Sequence, residues 1–173
     1  MLENTQTSTN PTPPFIDTIS SYIAELRHYY LTNDTTTAKP KGNSFPCCFS
    51  KSSGSRVLNI HAYMRQVAKQ GRIEDREALY GLVLVEKLLL LQDPPKSINF
   101  KRLIAAALFI SQKVLRDHGR WSLDQFAQIS MIKPHHLEQL EITFSFCLDF
   151  RVHVTDLEYE EFRDNVLPVQ PSV

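Results

Sequence analysis

Two charged side chains stand where the pattern of the chain asks for apolar ones. Lys113 lies one helical turn past Phe109 and Ile110 in the stretch NFKRLIAAALFISQKVLRD, residues 99–117, and continues a face otherwise kept greasy. Glu141 sits among Leu137, Leu140, Phe144 and Leu148, inside an apolar stripe rather than opposite it. A lysine so placed must snorkel, find a counter-charge or serve a partner. An amine and a carboxylate on adjacent helices would pair, although desolvation offsets most of the Coulomb gain. Periodicity alone makes this first a structural ion pair at a bundle edge; orientation or recognition of a partner is the sharper reading.

The elements that carry these two groups are helical. Leu103 to Ile110 is apolar throughout, without Gly or Pro, so it predicts the central helix of a bundle, capped by Asn99 or Ser97. Glu74 to Gln92 is the other greasy helix, opened by acids at the favourable end of its dipole and stopped by Asp93-Pro94-Pro95. Asn59 to Gln70 precedes it, with Ile60, Tyr63, Met64 and Val67 on one face and Gly71 past its end. Ser122 and Gln125 are spaced as a capping box for a short helix ending near Ser130. Pro134 suits the first turn of the helix that carries Glu141, which runs to about Leu148 with Ile142 and Phe146 widening its stripe. Thr155 and Glu158 repeat the capping box before a last helix to about Asn165. Near the start, Ile16, Ile19, Ile23, Leu26 and Tyr30 predict an amphipathic helix over 15–31. Residues 1–14 read as a disordered tail. Residues 33–54 read as a long loop, from which Phe45 and Phe49 could dock on the body. No stretch reads as a strand. The fold class is all-α: a bundle of about five core helices with one helix added at each end.

The bulk numbers narrow the function. At 173 residues the chain suits one domain with a real core. Nineteen basic and nineteen acidic side chains cancel, and no like-charged block supports a nucleic-acid footprint or a membrane-surface patch. The run Leu79 to Leu91 holds Glu86 and Lys87 and falls short of a membrane span. No secretory signal opens the chain, so with no membrane span the protein is expected to be soluble and inside the cell, and Leu2 stands where a myristoylation motif needs Gly. The sequon at Asn33-Asp-Thr35 is then a chance match. Cys47, Cys48 and Cys147 make neither a disulfide framework nor a zinc pattern, and His135-His136 faces no cysteine pair, so no metal is expected. No phosphate loop, metal-spaced cluster or nucleophile elbow is present, which argues against catalysis and against a cofactor. Arg76 to Leu79 has the form of a degradation signal but falls inside a predicted helix.

These residues also carry a resemblance. The order of helices, with RLIAAALFISQK and then LEQLEITFSFCLDF, resembles the cyclin box. Ser111 to Lys113 is similar to the family's Ala-Ser-Lys, and Leu140-Glu141 to its Leu-Glu or Met-Glu. Within the family, EKLLLL, NFKRLIAAALFISQKVLRDHGRW and DFRVHVTDLEYEEF are most similar to the branch of cyclin Y and the yeast phosphate-response cyclins. The likeness covers about residues 57–166, with 15–31 matching that branch's extra N-terminal helix. It implies a five-helix cyclin-box domain over 57–166, an N-terminal helix, a loop over 32–56 and a short tail over 167–173. The substrate-docking Met-Arg-Ala-x-Leu of mitotic cyclins is RVLNI here, Arg56 to Ile60, and the following Trp is Tyr63, so docking by that patch is not expected. The chain ends at Val173, and the expectation is a single box.

The resemblance implies a regulatory subunit that binds and activates a cyclin-dependent-type protein kinase, of the PCTAIRE, PFTAIRE or yeast phosphate-response kind. Lys113 and Glu141 would grip kinase backbone near its αC helix. Phe109, Ile110 and Val114, with Ser145, would form the apolar floor beside them, ordinary core packing being the alternative for these neighbours. Two other readings stay open: a helical adaptor without a kinase, and a transcription-factor-like domain of the same fold on nucleic acid.

Overall fold

The structure is a computed structural model, described over residues 13–32, 46–49, 59–92, 98–118 and 120–167. It contains α1 (Pro13–Thr32), a 3-10 turn (Cys47–Phe49), α2 (Ile60–Gly71), α3 (Asp75–Leu91), α4 (Phe100–Leu115), α5 (Leu123–Ser130), α6 (Pro134–Cys147) and α7 (Asp156–Val166). No strand ladder occurs among the described residues, so the chain is all-α. Most of the expected tail, the sequon at Asn33, Phe45, the Asp93-Pro94-Pro95 stop and Ser97 lie outside the described residues.

α3 and α4 are the buried pair. From Ala78 to Val85 every residue of α3 is buried, as is every residue of α4 from Leu103 to Gln112, because neighbours cover both helices on most sides. α6 packs on α4, α1 on α2 and α3, α5 between α2 and α6, and α7 on α3 and α1. The start of α1 lies two residues earlier than periodicity predicts, at Pro13. Its Ile16, Ile19 and Ile23 enter the core.

Local chemistry fixes the helix starts. Asn99 accepts from the Arg102 N–H, and Asn59 from the Ala62 N–H. Ser122 with Gln125, and Thr155 with Glu158, form the two reciprocal boxes. The end of α2 departs from the expected glycine stop. Gly71 is the last helical residue, and the left-handed position falls on Arg72 at φ 44°. A methyl group at Gly71 would lie 3.2 Å from Ile73 Cδ1, so the glycine serves close packing instead.

Within the 33–54 segment, Phe49 does dock. It is fully buried, its ring meets Phe144 edge-on at 6.0 Å, and its carbonyl accepts from the Asn99 N–H at 2.6 Å.

Candidate functional site

α4 carries an unbroken buried run as far as Gln112, and Lys113 is the first residue to emerge from it. Its ammonium sits 4.4 Å from the centre of the Phe109 ring, a cation resting on an aromatic face. Phe109 is itself sealed, stacked on Phe126 at 5.2 Å. α6 brings Glu141 to the same spot, since Leu137, Leu140 and Phe144 turn its inner face onto the core. Lys113 Nζ lies 2.5 Å from Glu141 Oε1. The lysine side chain is 41% exposed and the glutamate 21%. The structure therefore joins the two charged residues at the rim of the bundle, with both reachable from outside.

The end of α4 is held from several directions. Gln112, wholly buried, accepts the Trp121 N–H on its Oε1, and Trp121 donates its indole N–H to the Gly71 carbonyl at 2.7 Å. Arg116 reaches back to the Glu77 carboxylate and to the Arg72 carbonyl. The turn bearing Lys113 is thus braced against α2 and α3, which limits how far the ammonium can wander.

The other expected contact residues divide. Phe109 and Ile110 pack inward and leave little surface for a partner, so they support the site from beneath instead of flooring it. Val114 is exposed, and Ser145 is half-buried one turn past Glu141.

A match to the Cyclin family model extends over residues 18–152, most of the chain. This chain belongs to the cyclin family. Its curated relatives include Cyclin-U4-3 of Arabidopsis thaliana, 24% identical over 144 residues, an alignment that takes in 82% of this cyclin and 62% of that protein. The chain therefore spans less than two thirds of that relative's length.

Sequence reasoning missed the outer face of this cyclin's α6. Ile142 and Phe146 were expected to widen the buried stripe, yet they are 59% and 65% exposed. At 100° per residue they fall on the side of the helix away from Leu140 and Phe144, and that angular position was the signal available. Phe150 extends the row, 66% exposed and edge-on to Phe146 at 6.3 Å. It is held there by a turn in which Asp149 and Phe150 both take left-handed backbone, φ 55° and 56°, with the Phe150 N–H donating to the Ser145 carbonyl. Asp tolerates that region and an aromatic residue does not readily do so, so the turn holds strain next to an exposed apolar ring. Among the described residues no group of three or more His, Cys, Asp or Glu is placed to hold a metal ion, and no helix is long and apolar enough to cross a membrane.

Proposed function

We propose that this cyclin is the regulatory subunit of a cyclin-dependent-type protein kinase, which it binds and activates through the face shared by α4 and α6. One observation carries the reading: the Lys113–Glu141 pair, open at the bundle rim, with exposed Val114 next to the lysine in sequence and exposed Ile142 next to the glutamate. An exposed pair of this kind contributes only about 0–1 kcal/mol to folding, so stability is a weak reason for it. A backbone segment of a kinase offers what the two groups lack. The ammonium donates to a carbonyl and the carboxylate accepts from an N–H, while the apolar neighbours cover both from water.

Such kinases act only when the αC glutamate meets the strand lysine and the activation loop is held open. A rigid surface that binds the αC-in form draws the population toward it, by no more than the difference in affinity between the two forms. Phe109 and Ile110 keep that surface rigid from below, and Ser145 lines its edge. The resemblance to cyclin Y and the yeast phosphate-response cyclins favours a partner of the PCTAIRE, PFTAIRE or phosphate-response type, acting inside the cell. In this reading residues 57–166 form the box that meets the kinase, and 15–31 is an added brace.

The test substitutes Lys113→Ala and Glu141→Ala separately and measures affinity for, and activation of, such a kinase. Each variant is expected to keep its helical signal and melting point while binding weakens by roughly tenfold or more. Folded variants that bind and activate like the parent would overturn the assignment.

A further inference from the structure

Two of the three cysteines converge at the far end of α6. Cys48 belongs to the 3-10 turn, whose next residue, Phe49, is locked into the core against Phe144. Cys147 lies three residues beyond Phe144 and so shares its side of α6, the side that the turn covers. Backbone bonds hold both ends of this arrangement. The Cys48 carbonyl accepts from Arg102 Nη1 at 2.7 Å, and the Cys147 carbonyl from Gln92 Nε2 at 3.3 Å. Both cysteines are half-buried and packed against the core. The Cys147 thiol is pushed up by burial and then by the nearness of Cys48.

We infer that Cys48 and Cys147 form a modification site, closing one reversible disulfide when a low-molecular-weight disulfide such as oxidised glutathione is supplied. The thiolate of Cys48 attacks a sulfur of the glutathione disulfide, and one glutathione thiolate leaves. Cys147 then gives up its proton and attacks the mixed disulfide at the Cys48 sulfur, expelling the second glutathione. Two protein thiols are oxidised and one small disulfide is reduced, and the two protons end on the departing glutathiones. The bridge ties the 3-10 turn to the last turn of α6.

The experiment incubates the full chain with excess oxidised glutathione, alkylates the remaining thiols and maps peptides without reductant. The expected product is a Cys48–Cys147 cross-link, reversed by dithiothreitol, kept in Cys47→Ser and reduced at least about tenfold in Cys48→Ser and in Cys147→Ser. The oxidised chain should keep its circular dichroism and melt about 5–10 °C higher. Mixed disulfides that never resolve, alkylation of both cysteines after oxidation, a bridge from Cys47, or a bridge formed only in denaturant would each overturn the inference.

Discussion

Arg116 holds Glu77 in a two-pronged ion pair inside the bundle, Nε on one carboxylate oxygen and Nη2 on the other. Glu77 is 2% exposed, and its Oε2 also accepts the Glu74 N–H at the start of α3. The arginine follows directly on the last residue of α4, so the pair couples the beginning of one central helix to the end of the other. Removing one partner leaves the other charge buried and unpaired, which is far costlier than losing a surface bridge. Glu77→Ala is expected to lose about 3–5 kcal/mol in urea unfolding. Glu77→Leu with Arg116→Met should recover much of that loss, because neither charge then stays behind.

The Lys113–Glu141 pair calls for the opposite outcome. Reversing it with Lys113→Glu and Glu141→Lys keeps an internal attraction and should move stability by less than about 1 kcal/mol. Under the proposed function, the reversed pair would present the wrong sign to each kinase backbone group. Binding measured by titration calorimetry should therefore fall as far as in either single alanine variant. If the swap restored binding, the pair would serve only the cyclin's own fold.

The contrast between the two pairs marks how far sequence reading reaches. Lys113 and Glu141 stood out because each interrupts an apolar face, and a helical wheel exposes that. Glu77 did not, since an acid in the first turn of a helix is ordinary and its partner lies on another helix. The buried runs of α3 and α4 and the boxes at Ser122 and Thr155 were legible, because they depend on neighbours within a few residues. Ile142 and Phe146 were misassigned for a physical reason. An exposed apolar face and a buried one use the same residue types, and only the direction of the side chain separates them.

Glu158 makes the acid limb of stability testable. Its carboxylate accepts from Lys87 Nζ at 2.8 Å and from the Thr155 N–H at 2.8 Å, and these bonds, the lysine's first, hold it below the ordinary glutamate range. A group depressed in the folded state stabilises above its unfolded pKa, and loses that contribution as pH falls through the folded value. Glu158→Gln keeps the capping box but removes the charge. The variant should melt below the parent at pH 7, and the gap should narrow from about pH 5 downward and close in stronger acid. The side chain is 42% exposed, so solvent screening keeps the gap small. Melting curves across that range check the sign.

Gly81 faces α4 from α3, and size should decide what is tolerated there. A methyl group added at Gly81 would lie 3.1 Å from Leu108 Cδ2 and 3.5 Å from both the carbonyl carbon and oxygen of Ala107. The Leu108 tip borders a small apolar gap that Ile23 and Val85 also line, so it can give way. Alanine also gains up to about 1 kcal/mol of helix propensity over glycine, so Gly81→Ala should stay within about 1 kcal/mol of the parent. Valine is different. Its further methyl groups press on the Ala107 backbone, which moves only if α4 moves, and overpacking of this kind costs about 1–3 kcal/mol. Gly81→Val should therefore lower the urea midpoint clearly. Since α4 also positions Lys113, kinase affinity should fall with it, whereas in Gly81→Ala both should hold.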